Sequence, residues 1–334
     1  MAGSGEEHSS PRRARTTAVA SFALLALLAA CGDEAGTGTG TGSGTAPSST
    51  TSPVADVDSL APGAPTTAVP AEWFAVEHRD DRFVLVRGST DSGEIVDLGS
   101  MPDDFGAPET SLPVSATDLA VTDDGSAAYV AFCCEPVSGS IFRFPTSGPG
   151  VEPESFDQGN DLDIRGDIYV RSDTIGVLRW SLDGPVATDD ESLVDAGALD
   201  AAAVHAGDAV VGALTGDDGS ILRTYREDGT VVDDTALPAP HCLLAGTGVG
   251  LVAMTGEVRT SAPGSTCRSD RFTVITPEGA ISEVQVPDVL QDLEADATGD
   301  HLVGVDRAGN VVHLAPGDEL RPLTGGRQFV TADW

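Results

Sequence analysis

The chain has 334 residues, enough for one large or two ordinary domains with a sizeable core. Fifty-three acidic residues face eighteen basic ones, all of them Arg, for a formal charge of -35. Such a balance repels a phosphate backbone and excludes nucleic-acid binding, and it disfavours direct adsorption to anionic lipid head groups.

Arg12, Arg13 and Arg15 make a positive segment, followed by an apolar run from Thr16 to Ala30. That run is short of the ~20 residues needed to span a bilayer and has the build of a signal-peptide core. It ends in Leu28-Ala29-Ala30-Cys31-Gly32, which resembles the lipobox of bacterial lipoproteins. The resemblance implies cleavage after Ala30, acylation of Cys31 and retention on the extracytoplasmic face of a membrane. Pro11 before the Arg pair and the lack of a following hydrophobic pair favour general secretion over the twin-arginine route. The absence of Lys beside abundant Ala, Gly, Asp and Val has the stamp of a high-GC, actinobacterial genome.

From residue 31 to about 70 the chain is Gly, Thr, Ser, Pro and Ala, with Gly36 to Ser43 nearly a pure repeat. Too little apolar surface is present to offset the entropy of ordering, so this segment reads as a tether. The expected organisation is therefore signal peptide 1–30, lipid-anchored linker 31–70 and folded body 71–334.

The body lacks helical periodicity. Short β-branched runs recur between Asp-Gly and Gly-rich turns. One unit runs from Asp118-Leu119-Ala120-Val121 through Ala127 to Phe132 and Ser140 to Phe144. Similar units follow from Asp161, Asp200, His241 and Asp292, at spacings of roughly 40 to 50 residues, the period of a four-stranded propeller blade. The carboxyl end, Gln328 to Trp334, reads as a lone first strand, and the body's start at Glu72 as strands two to four. Joining them makes a sixth unit from both termini and removes exposed sheet edges. The expected fold is an all-β, six-bladed propeller, with seven blades as the alternative.

The turn Thr122-Asp123-Asp124-Gly125-Ser126 with Ala128-Tyr129-Val130 resembles the hairpin of TolB-like extracytoplasmic propellers. That resemblance implies a fold and no particular activity.

Beyond Cys31, four cysteines remain: Cys133, Cys134, Cys242 and Cys267. An even number in an exported body reads as two disulfides with three connectivities. Pairing Cys242 with Cys267 would restrain the insertion between them, worth ~3 kcal/mol in the chain-entropy model. Cys133 and Cys134 could bridge each other only through a distorted turn, or else stay as thiols or cross-bridge to the other pair.

No G-x-S-x-G elbow, H-E-x-x-H or P-loop occurs. Gly246 to Gly250 reads as a turn. Asp161-Leu162-Asp163-Ile164-Arg165 echoes a calcium loop but carries Arg165 where a third oxygen belongs. The histidines of the body are scattered, and each reads as a strand or surface residue. One constellation is more specific. Aligning first strands puts Asp118, Asp161, Asp200, His241, Asp292 and Gln328 at equivalent places, so pseudo-symmetry would gather them at one mouth of a channel. Such a ring would attract a divalent cation, calcium above all, in the channel. The leading functional expectation is a monomeric binding or scaffold module for an envelope or cell-surface protein or a small ligand. The alternative is a metal-dependent, lactonase-like propeller hydrolase. A two-lobed solute-binding fold is disfavoured by the strand-only pattern.

Overall fold

The computed structural model describes residues 67–103, 115–133, 139–148, 150, 152–159, 161–166, 168–173, 176–181, 198–204, 211–215, 220–225, 231–247, 250–256, 267–276, 279–315 and 320–334. The signal peptide, Cys31, Cys134 and most of the linker lie outside the described residues, and Cys133 is described in its backbone alone. The described residues form strands joined by turns, with no helix among them.

Strands β1 (Glu72–Arg79), β2 (Arg82–Ser89) and β3 (Ile95–Pro102) open the body. Next come β4 (Ser115–Val121), β5 (Ala127–Cys133), β6 (Ser140–Pro145) and β7 (Glu154–Gln158) in one sheet, then β8 (Asp161–Arg165), β9 (Ile168–Asp173) and β10 (Gly176–Ser181) in another. A further sheet holds β11 (Ala198–Val204), β12 (Val211–Thr215), β13 (Ile221–Tyr225) and β14 (Val231–Ala236). The last stretch is β15 (His241–Thr247), β16 (Gly250–Thr255), β17 (Ser269–Ile275), β18 (Ile281–Ala295), β19 (Leu302–Asp306), β20 (Val311–Leu314) and β21 (Arg321–Pro322), in that hydrogen-bonded order. The fifteen-residue β18 serves two neighbours: its first part pairs with β17 and its second, from Leu290 to Ala295, with β19. Finally β22 (Phe329–Asp333) returns to pair antiparallel with β1, giving the order β22-β1-β2-β3. Both ends of the body thus share one sheet, as the sequence pattern predicts.

All pairings are between antiparallel neighbours, so tight turns suffice to join them. Between β1 and β2, Asp80 and Asp81 take φ of 52° and 56°, both turn residues in the left-handed region of a type I′ hairpin. The Thr122–Ser126 turn places Gly125 at φ 66°, and Asp124 Oδ1 accepts from Thr122 Oγ1 and the Ser126 amide at 2.7 and 2.9 Å. The Ser126 hydroxyl, then the Ser126 amide and the Thr122 hydroxyl, hold the Asp124 carboxyl down at about 2.

Apolar residues fill the spaces between successive sheets. Phe74, Val76 and Leu85 meet Leu119, Val130 and Phe132, while on the other face of the same strands Trp73, Val84 and Val86 meet Val303, Val305 and Val311. Tyr129 and Ile141 meet Leu162 and Tyr169; Leu214 and Leu222 meet Leu244 and Leu251; Val252 and Phe272 meet Leu293 and Leu302. A sheet covered on both faces needs continuous apolar runs, which is why Trp73 to Val76 and Phe83 to Val86 show no polar alternation. The first strands also touch one another in a closed order: β22, β4, β8, β11, β15, β18 and back to β22.

Gly88 stands opposite Trp73 across the β1–β2 pair, and a Cβ there would lie 2.0 Å from the buried indole. Gly88→Ala is therefore expected to lower stability by ~1–3 kcal/mol through overpacking. Urea unfolding of the variant beside the parent checks this, and an unchanged midpoint would contradict it.

Candidate functional site

A first strand is paired along one edge only, and its other edge presents amides that must find acceptors if they are buried. Four aspartates supply them. Asp118 accepts from its neighbour, the Leu119 amide, through Oδ1 at 2.8 Å and from the Leu162 amide of β8 through Oδ2 at 2.7 Å. Asp163 on β8 accepts from the Ile164 amide and from the Val204 amide of β11, both at 2.7 Å. Asp292 on β18 accepts from the Ala332 amide of β22 at 2.7 Å. Asp333 on β22 accepts from the Trp334 amide at 2.7 Å and the Val121 amide of β4 at 2.6 Å. Each carboxylate thereby ties its own strand to the next in the ring.

Asp118, Asp292 and Glu294 approach so closely that one oxygen from each lies within 4.8 Å of the others. All three are 5% exposed or less. Arg165 is the cation of this cluster: its Nη1 is 3.3 Å from Asp163 Oδ1, and its guanidinium donates to the Ile164 and Ala295 carbonyls at 2.8 and 2.6 Å. Burial opposes the Arg165 charge, yet Asp163, Asp333 and Glu294 together hold its pKa above the ordinary value.

Burial, and after it the charge of Asp292, pushes Asp118 well above the carboxylate range. Burial, followed by Asp118, does the same to Glu294. Asp292 is raised to about 6 by burial against its amide bonds, and Asp333 to about 7 by burial against the pull of Arg165. These carboxyls hold protons at acidities where exposed ones have lost them.

The six residues expected to form one ring separate. Asp118 and Asp292 come together, and Asp161 adds a side-chain hydrogen bond to Asp118. Gln328 does not join them: it is exposed at the opening where the first strands begin, its amide donating to the Ala308 carbonyl at 3.2 Å. Its expected place belongs to Thr331, because the Ala332 amide meets Asp292 as the Leu162 amide meets Asp118. His241 is fully buried inside its own sheet, 2.7 Å from Thr273 Oγ1, and burial lowers its pKa. Asp200 lies in β11, its side chain outside the described residues.

Sequence reasoning passed over Asp163, Glu294, Asp333 and Arg165 as cluster members. The available signal was the two-residue repeat of Asp161/Asp163, Asp292/Glu294 and Thr331/Asp333, since alternate strand residues share a face. It also took the histidines singly, whereas His301 Nδ1 and His313 Nε2 are 3.2 Å apart and both rings pack edge-on against Trp334.

Two cavities flank the carboxylates. One, about 350 Å³, lies where the first strands end, among Val121–Gly125, Arg165, Ala295 and Trp334. The other, about 380 Å³, lies where they begin, among Ser115–Thr117, Gln291, Gln328, Arg268, Arg307 and His78. Cys242 and Cys267 form a disulfide with Cα atoms 5.5 Å apart, directly before Arg268.

No family model matches the chain, and no curated protein matches it. Among solved structures it is similar to a protein of unknown function from Bacteroides caccae, at 12% identity and a TM-score of 0.50, covering 79% of this chain and 98% of that one. Kuenenia stuttgartiensis hydrazine synthase is matched at 14% identity and TM-score 0.46, over 75% of this chain and 78% of that one. The RRP9 WD40 repeats are matched at 14% and 0.42, over 76% and 68%. The first of these reaches a TM-score of 0.50, and at 12% identity that likeness concerns the fold alone; the described strands themselves form an all-β set of small sheets.

Asp118→Ala would leave the Leu119 and Leu162 amides without acceptors, and a loss of at least ~2 kcal/mol is expected; Asp118→Asn, which keeps one acceptor oxygen, should lose less. Because the raised carboxyls bind protons that the unfolded chain releases from about pH 4 upward, parental stability should fall as pH rises from about 4 to about 7. Asp118→Ala should show a shallower fall. Thermal unfolding across that range checks both, and a rise in parental stability over it would contradict the assignment.

Proposed function

We propose that the chain is an exported lipoprotein, acylated at Cys31, whose body is a closed six-bladed β-propeller serving as a binding module outside the membrane. The support for six blades is the topology. Dividing β18 between its two sets of partners gives two four-stranded sheets, which with the other four sheets make six. The support for closure is the ring of first-strand contacts and the pairing of β22 with β1, which leaves no first strand without neighbours on both sides. A tether of Gly, Thr and Ser between such a body and an acyl chain suits display at a surface.

The observation that carries the binding reading is the role of the channel aspartates. Asp118, Asp163, Asp292 and Asp333 are occupied as acceptors between neighbouring strands, so they belong to the framework. The chemistry open to a partner then lies at the two mouths and on the broad faces of the ring. The partner is an envelope protein or a small ligand.

One observation favours a second reading, a metal-dependent hydrolase. Asp118, Asp292 and Glu294 offer three oxygens within 4.8 Å, a spacing from which a divalent cation such as calcium could be held. The ion would have to displace protons from carboxyls that burial keeps protonated, so its affinity would climb with pH.

Both readings are tested on the full chain expressed in its membrane. Acyl labelling and membrane retention are expected for the parent and absent in Cys31→Ser; retention without Cys31 would overturn the lipoprotein assignment. Chelator is expected to leave the melting temperature of the binding module unchanged. A melting temperature that falls with chelator and recovers with calcium would instead support the metal reading.

A further inference from the structure

We infer that the 380 Å³ basin at the opening where the first strands begin binds a small hydroxylated organic anion, its carboxylate or phosphate held between Arg268 and Arg307. The inference rests on the reading of the chain as a binding module and names the ligand class of one mouth.

The charge distribution is the first argument. In a chain of charge -35 with eighteen arginines, two of them line this single basin, and among the described residues that line it there is no carboxylate. His78 adds a third basic side chain at the rim, 2.8 Å from the Asp103 carboxylate. Among the described residues neither Arg268 nor Arg307 forms an ion pair, whereas Arg79, Arg165, Arg223 and Arg327 do. A concave site lined by cations, set in a surface otherwise negative, concentrates the field on whatever anion fits it. The guanidinium fork matches the two oxygens of a carboxylate or phosphate edge.

The second argument is that both arginines stand on fixed backbone. Arg268 follows Cys267 directly, and the bridge to Cys242 fastens that point to β15. Arg307 is in the turn between β19 and β20. There Asp306 Oδ1 accepts from the Ala308 and Asn310 amides at 2.8 Å, and Gly309 takes φ 82°. The Phe329 amide donates to the Gly309 carbonyl at 2.9 Å, tying the turn to β22. Preformed cations lose less entropy on binding than mobile ones.

The remaining lining sets the body of the ligand. Gln291 and Gln328 each direct an amide N–H to backbone carbonyl, Gln291 to Phe329 and Gln328 to Ala308. That fixes the amide planes at the basin wall, where each Oε1 is an acceptor suited to a hydroxyl. An acidic sugar, carrying either a carboxylate or a phosphate, has both features.

The test is calorimetric titration of the full chain in detergent with glucuronate, with glucose 6-phosphate, and with glucose as the uncharged control. Binding of one or both anions, weakening as salt is raised, is expected with no heat from glucose. Arg268→Gln and Arg307→Gln should each lower affinity on the order of tenfold or more, while Arg321→Gln, on β21 away from the basin, should not. Both basin arginines are exposed, so their variants should fold, and an unchanged melting temperature verifies it. The glucuronate and phosphate arms separate a carboxylate from a phosphate preference. Equal binding of glucose, retention of affinity in both basin variants, or no binding of either anion would overturn the inference. If the anions fail while Cys31-dependent membrane retention holds, the basin chemistry falls and the module reading stands. Anion binding with calcium-dependent turnover would keep the basin and overturn the non-enzymatic reading.

Discussion

Each first strand among the described residues lies beside the next without a backbone ladder between them, and on β4, β8, β11 and β22 the amides along that unladdered edge are buried. Backbone donors withdrawn from water need acceptors, and a carboxylate with two oxygens can serve one amide on its own strand and one on the next. Asp118, Asp163 and Asp333 each do this, and Asp292 reaches from β18 to β22. The same bonds that satisfy the edges also fix the order of the sheets around the ring. Apolar packing between sheets is non-directional and would tolerate sliding; the carboxylate–amide bonds are directional and do not.

That solution carries an electrostatic cost. Five carboxyls are gathered in the interior of a chain already strongly acidic, with Arg165 as the cation among them. Two responses reduce the cost. Arg165 is held in place by the Ile164 and Ala295 carbonyls beside Asp163, and Asp118 and Glu294, raised chiefly by burial, keep their protons to higher pH. A division of labour follows. Acids shape the interior, while the arginines that face solvent at the opposite opening, Arg268 and Arg307, are positioned by a disulfide and a tight turn. The proposed function uses that contrast: a rigid acidic framework presenting a locally basic mouth.

Much of this was legible in the sequence, for reasons that particular segments make plain. The inner strands are covered on both faces, so their apolar runs recur at a readable period, and Phe329 to Trp334 and Glu72 onward complete each other. The outermost strands were harder. Glu154–Gln158 and Val231–Ala236 are largely exposed, the first polar and the second without alternation, and leave no hydrophobic period to read. The site was partly legible: Asp118 and Asp292 meet as strand alignment suggests. Gln328 does not, because β22 begins only at Phe329 and an alignment by residue type starts the strand too early. Thr331 takes the place instead. The His301–His313 contact depends on a hairpin register that composition alone does not encode.

The central claim, that carboxylates hold the inner edges of neighbouring first strands, is tested most directly by amide hydrogen exchange at single-residue resolution. Leu162, Val204, Ala332 and Val121 are the amides to follow, since each crosses from one first strand to the preceding carboxylate. The account predicts that they exchange only through global unfolding, as slowly as the ladder amides of β5 and β16. Exchange at those four positions on the timescale of turn amides, with the ladder amides still protected, would contradict it.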